Sequence, residues 1–302
     1  MLLACGTTRS MRVASVPAAS PNARCPTCHE AEASEWNASL HRAAFTDRDF
    51  QASFTVEPDR FCFECHAPLA RDRGDLANIA LGVACISCHR ASPEHGEGGG
   101  VVETRECGGC HEFSFPRRAA AMQSTVSEHA RSEQAARTCA SCHLPERGGH
   151  RDHRFAVSRN ISLLRASLSM VARRTADGLA ITLTTHDVGH AMPTGDLFRR
   201  LVVKVEGEAA DGSFAGEEEI VLARRFERVK GLPLQVEDDR VVGTKQVAVS
   251  EPWIGRAPRV KVAVHYERVA ETVDVRDVRG RKDHRGTLFA SVVLAEAVLE
   301  GW

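Results

Sequence analysis

Ten of the eleven cysteines fall into five C-x-x-C-H motifs. They are Cys25-Pro-Thr-Cys28-His29, Cys62-Phe-Glu-Cys65-His66, Cys85-Ile-Ser-Cys88-His89, Cys107-Gly-Gly-Cys110-His111 and Cys139-Ala-Ser-Cys142-His143. Composition alone predicts about 0.02 such motifs in a chain of this length, so chance does not explain them. The spacing suits one reaction. Two thiols about one helical turn apart can add across the two vinyl groups of a single haem, and the histidine that follows can swing beneath the macrocycle to ligate its iron. A structural zinc site takes C-x-x-C pairs two at a time and needs no histidine after each second cysteine. A thioredoxin-type motif occurs once, beside a βαβ pattern. A secreted disulfide scaffold spreads its cysteines along the chain, whereas all eleven here lie in residues 1–142. The expectation is five covalent c-type haems, with His29, His66, His89, His111 and His143 as proximal iron ligands.

So many sites within residues 25–143 leave too little chain for an ordinary apolar core. The macrocycles are therefore expected to form much of that core, close enough for electrons to pass between them. Each iron also needs a sixth ligand. Nine histidines lie outside the motifs, against five methionines in the chain. Histidine gives a low-potential, low-spin iron, and methionine raises the potential. The expected distal ligands are His41, His95, His129, His153 and His190. His41 lies beside an apolar stripe of Trp36, Leu40 and Ala44, on a predicted helix with Ser34 as N-cap. His129 precedes Cys139 within a helix predicted over Arg117–Arg137. His95 sits in a loop with Pro93, Gly96 and Gly98, which bends freely. His150 and His153 share one short loop, and His153 is preferred because Phe155 can anchor it. His190, between Gly189 and Pro193, is preferred over His186. His265, in an alternating strand, and His284, in a charged turn, read as structural or solvated.

Three further pieces accompany the motifs. They are Trp36-x-x-Ser39-x-His41, Gly82-Val83-x-Cys85-x-x-Cys88-His89 with His95 downstream, and Asp152-His153-Arg154-Phe155 after the last motif. On these, residues 25–200 resemble the multihaem c-type cytochromes of the cytochrome c554 family. The resemblance implies that His41 and His95 are distal ligands. Gly189-His190-x-x-Pro193-Thr194-Gly195, followed by Arg199 or Arg200, is similar to a segment found where related cytochromes enter a β-rich C-terminal domain. Electron carriage is the implied activity, with redox partner proteins or other multihaem cytochromes. Haem attachment in such families also implies export, so the expected location is periplasmic, outer-membrane-anchored or extracellular.

The rest of the chain must position these groups. Residues 1–24 carry little structural signal and read as a signal remnant or flexible N-terminus. Cys5, the eleventh cysteine, follows Leu2-Leu3-Ala4 and looks like the lipidated residue of a bacterial lipoprotein, a candidate lipid anchor. Only four residues precede it, too few for a complete signal, so the signal is expected upstream. Residues 25–158 read as a haem-dense domain of short helices and loops. From about residue 159 the pattern changes to period two: Leu179, Ile181 and Leu183 alternate with polar neighbours, as do Val260, Val262, Val264 and Tyr266. Further apolar runs cover Leu201–Val205, Ile220–Phe226, Val241–Val249 and Leu288–Val298, with hairpin signals at Asp177-Gly178 and Asp211-Gly212. About seven strands without helices predict an antiparallel sandwich over 159–302. The expected class is α+β in two parts, a haem-dense N-terminal domain followed by a β-sandwich-like C-terminal domain.

Charge and motif searches remove other functions. Lys+Arg number 39 against 40 Asp+Glu, a net charge of -1, so nucleic-acid binding by bulk charge is excluded. No apolar run reaches the length of a membrane-spanning helix. G-x-G-x-x-G after a strand, the P-loop and H-E-x-x-H are all absent. Three readings stay open: an electron carrier with capped irons; a reductase of a nitrogen or sulfur oxyanion at one open haem; and a subunit of an extracellular haem-polymer filament, a homopolymer. Spare histidines for every distal site favour the carrier.

Overall fold

The computed structural model describes residues 21–56, 58–89, 104–114, 121–155, 159–229, 232–269, 273–276, 282–285 and 287–301. Cys5 and His95 lie outside the described residues. The architecture is α+β, with short helices in the N-terminal part and antiparallel sheets in the C-terminal part.

Each motif makes its own helical turn. A 3₁₀ turn, Pro21–Thr27, carries the first and is followed by α1 (Glu30–Asn37), α2 (Arg48–Val56), α3 (Cys62–His66), α4 (Leu76–Ile79), α5 (Cys85–Cys88) and α6 (Thr104–His111). After a small hairpin of β1 (Glu112–Ser114) and β2 (Ala121–Ser124) come α7 (Thr125–Ala130) and α8 (Cys139–His143), then a hairpin of β3 (Glu146–Arg147) and β4 (His150–Arg151). Helices this short are marginal alone and depend on what they pack against. The apolar cluster available to them is small: buried Phe45, Phe63, Ala67 and Ile79, with Phe50, Phe54 and Ala70 against it.

The C-terminal part opens with α9 (Ile161–Ala166), whose cap is Asn160 Oδ1 accepting from the Leu163 N–H at 3.1 Å. Strands follow: β5 (Leu168–Thr175), β6 (Gly178–Thr185), β7 (Arg199–Glu208), β8 (Phe214–Leu222), β9 (Arg224–Val229), β10 (Leu232–Asp238), β11 (Thr244–Val249), β12 (Arg259–Val269), β13 (Val273–Arg276), β14 (Lys282–Arg285) and β15 (Leu288–Glu300). Sheet order β11-β6-β5 faces sheet order β15-β12-β7-β8. One core joins them, taking Leu179, Ile181 and Leu183 from β6, Leu201, Val203 and Val205 from β7, and Val260, Val262 and Val264 from β12. The period-two pattern thus resolves into an inward face on each of these strands. β9–β10 and β13–β14 form two separate two-stranded hairpins.

Several local expectations are corrected. The helix at His41 runs over Glu30–Asn37, so Ser34 lies inside it and not at its cap; residues 38–46 are turns. A crossing segment explains the stop. The Val83 N–H donates to the His41 carbonyl at 2.8 Å, and Trp36 Nε1 donates to the Val83 carbonyl at 2.8 Å. Gly82 makes this approach possible: it sits at φ +60, and a Cβ there would lie 2.4 Å from the His41 carbonyl oxygen. The helix predicted over Arg117–Arg137 is reduced to α7, with β2 before it and turns after it. Its residues are good helix formers, yet the Arg224 guanidinium takes the Ala121 and Met122 carbonyls, the latter at 2.7 Å. Glu112 Oε2 meanwhile accepts from the Val126 and Ser127 N–H groups at 3.0 and 3.1 Å. Tertiary partners override local propensity here. The β part is not free of helix, since α9 and a 3₁₀ turn at Ile254–Arg256 belong to it. His284 lies on strand β14, not in a turn.

Candidate metal centres

The motifs fold as their chemistry asks. In the first, the Cys28 and His29 N–H groups donate to the Cys25 carbonyl at 3.2 and 3.0 Å; in the third, the His89 N–H donates to the Cys85 carbonyl at 2.8 Å. Thr138 Oγ1 caps the fifth, accepting from the Ser141 N–H at 3.2 Å. One helical turn between the thiols sets both on one side of the backbone. None of the ten cysteines is buried or in a disulfide: Cys28 and Cys142 are exposed, and Cys25, Cys62, Cys65, Cys85, Cys88, Cys107, Cys110 and Cys139 are half-buried. Thiols from different motifs touch. Cys65 hydrogen-bonds Cys110, Cys107 hydrogen-bonds Cys139, and Cys25 hydrogen-bonds Cys85. Among the described residues no group of three or more His, Cys, Asp or Glu converges as a structural zinc site requires.

The histidines come together in pairs, each joining one motif histidine to one outside the motifs. Ring centroids lie 6.3 Å apart for His41 and His111, 6.2 Å for His89 and His153, and 6.2 Å for His143 and His190. Metal–imidazole bonds run about 2 Å, so two rings on opposite sides of one metal have centres roughly 6 Å apart. These pairs therefore fit a single iron between each two rings. Carbonyls orient several of the rings: Nδ1–H donates to Ala44 O from His66 at 2.7 Å, to Arg151 O from His153 at 2.6 Å, and to Ala191 O from His190 at 3.0 Å. That leaves Nε2 free for a metal, the usual arrangement around one. Burial, followed by neighbouring imidazoles, pushes His41 and His143 down to about 4. Burial also lowers His66, His111 and His190. A neutral imidazole is the form that binds metal.

The remaining histidines differ. Phe155 lies edge-on to His41, at 4.2 Å between centroids, and 6.1 Å from His153. His150 turns away from this group, with Nε2 3.1 Å from Glu35 Oε1, while Glu35 Oε2 accepts the His153 N–H at 2.9 Å. His186 Nε2 meets Ser169 Oγ at 2.7 Å on the surface of β5, and His265 Nδ1 meets Ser291 Oγ at 2.9 Å. The His129 ring packs on Gly189, where a Cβ would lie 2.8 Å from it. His29 is exposed. The ring of His66 stacks on Phe50 at 3.8 Å.

Two side chains of this region had no signal in the sequence. Glu128 and Arg240 form a buried ion pair at 2.7 Å beside the His190 segment. They are far apart in the chain, and neither belongs to a motif.

Residues 24–90 match the family model described as cytochrome c554 and c-prime. That stretch holds three of the motifs together with His41. The chain resembles a multihaem c-type cytochrome of the cytochrome c554 family. Its fold is also that of a penta-haem cytochrome c552 from Thermochromatium tepidum, at 18% identity, covering 91% of this chain and 97% of that one with a TM-score of 0.66. MtrC from Shewanella baltica OS185 aligns at 14% identity over 72% of this chain and 45% of that one, but the TM-score of 0.21 is that of dissimilar backbones. No curated protein matches the chain. The resemblance to a multihaem cytochrome agrees with the geometry, in which the motif turns and paired imidazoles suit covalently bound haem.

Proposed function

We propose that the chain relays electrons through five covalently attached haems, one on each motif. The single observation that carries this reading is the spacing of the three imidazole pairs, which suits bis-histidine ligation of one iron in each. Bound haem would supply a one-electron iron couple, and a pair of histidines holding the iron would leave it no open position for substrate. Backbone carbonyls hold the rings of His153 and His190 by Nδ1. His41, His153 and His190 serve the irons of His111, His89 and His143. His95 and His129 are the remaining distal candidates. The touching thiols suggest an order in which the first motif neighbours the third, the second neighbours the fourth, and the fourth neighbours the fifth. Partners are other redox proteins, and the setting is an exported one, with Cys5 as a candidate anchor.

Haemochrome counting, intact mass and low-temperature EPR on matured protein test the reading. Five haems with low-spin signals are expected. Bare polypeptide mass, or a predominantly high-spin signal, would overturn it.

A second reading, reduction of a nitrogen or sulfur oxyanion, is favoured by one position. Among the described residues no imidazole faces His66, and the charges of Asp196, Asp47 and Arg199 reach its ring. A ferric high-spin signal worth one iron in five would support an open site there; wholly low-spin iron would exclude it.

A further inference from the structure

The buried pair of Glu128 and Arg240 has no part in the motifs, yet three of its hydrogen bonds converge on the segment that carries His190. Glu128 Oε2 accepts from the Ala191 N–H at 3.1 Å and from Thr194 Oγ1 at 2.8 Å. Glu128 Oε1 accepts from Ser124 Oγ at 2.8 Å and from Arg240 Nη2 at 2.7 Å. Arg240 Nη1 donates to the Pro193 carbonyl at 3.2 Å, and Asp238 takes its Nε and Nη2 at 2.8 and 2.7 Å. One turn of chain is thus held at the amide after His190, at the carbonyl of Pro193 and at the hydroxyl of Thr194. The backbone bridge of Met192 to Val241 closes the far side, with N···O distances of 2.8 and 3.0 Å. Gly189 packs on His129, the residue after Glu128.

The energetics make the pair consequential. Its side chains are 8% and 6% exposed. Removing one partner strands a buried charge, whereas an exposed pair would cost little. The Glu128 carboxyl stays below its ordinary range because Arg240 and the hydrogen bonds outweigh the burial that opposes ionisation. Its negative charge also reaches the His190 ring.

We propose that Glu128 and Arg240 are positioning residues that present His190 to the iron of His143 and hold that iron low-spin. This rests on the reading that His190 is the distal ligand. Neither residue touches the metal; both act through the backbone on either side of the ligand.

The test compares Glu128→Ala, Arg240→Met, His190→Ala and a control, Arg200→Met, as matured protein by quantitative EPR, haem count and redox titration. The control removes a similarly buried ion pair, Arg200 with Glu267 at 2.8 Å, on the four-stranded sheet. His190→Ala should convert one iron in five to high spin. Glu128→Ala and Arg240→Met should convert the same iron, wholly or in part, and move its midpoint potential while the others stay put; Arg200→Met should convert none. Conversion in His190→Ala but none in the two clamp variants would overturn this inference and leave the ligand assignment standing. No conversion in His190→Ala would overturn the ligand assignment itself. Equal conversion in the control would reduce the pair to general stability and overturn the inference. If Glu128→Ala fails to fold, Arg240→Met carries the same readout, because Glu128 keeps its backbone contacts there.

Discussion

The two parts of this chain solve the problem of an interior differently. In the β part, twenty-one buried residues form one cluster, from Leu164 to Leu294, and Ile181, Leu183 and Val262 have no exposed surface. Among the described residues of the motif-bearing part, the corresponding cluster has four buried members. A stretch that buries so little of its own apolar surface cannot offset the entropy of ordering its backbone. The difference teaches that the N-terminal part is the shell of an interior that the polypeptide does not itself supply. Covalently bound macrocycles would fill it, which is why the motif cysteines are half-buried or exposed and the paired imidazoles are 6.2 to 6.3 Å apart without touching.

The largest effect is expected when the shell is left unfilled. Full-length protein made without haem attachment should be cut by protease throughout residues 21–155, while the strands from β5 onward stay protected; equal protection of both parts would break the contrast. Removing one motif, as Cys62→Ala with Cys65→Ala, should take away a single haem by mass. It should also loosen the nearby Phe45, Phe50 and Phe63 cluster without lowering the unfolding transition of the β part. A core change sharpens the other side: Ile181→Ala should cost about 2–5 kcal/mol of stability in the β part, measured by denaturant unfolding, with haem count and spectrum unchanged. The smallest effect belongs to the contact between the parts. Arg268 pairs with Asp49 of α2, both about one-fifth exposed. Arg268→Met should cost about 1 kcal/mol or less and leave the spectrum as it was. A loss of haem in that variant would mean that the β part templates its neighbour.

How far the sequence could be read varies by residue. The motifs were legible because thiol addition and ligation fix residue types at fixed spacing. The strand faces of β6, β7 and β12 were legible because period two needs only local sequence. His153 and His190 were preferred to His150 and His186 for their neighbours Phe155, Gly189 and Pro193; in the structure His150 lies against Glu35 and His186 against Ser169. The helix over Arg117–Arg137 misled because its carbonyls are claimed by Arg224, about a hundred residues away. The helix at Ser34 was displaced by Gly82 and Val83 crossing at His41. Glu128 and Arg240 gave no sign, since an isolated acid and an isolated base look alike on any surface.

By itself, then, the sequence determined where the C-x-x-C-H turns lie, which histidines follow the thiols and which strand faces turn inward, because each depends on residues a few positions apart. Only the tertiary structure decided which histidine meets which, where the helices stop and what clamps the His190 segment. Those outcomes rest on hydrogen bonds and buried charges between residues tens to hundreds of positions apart, and no local pattern encodes such partners.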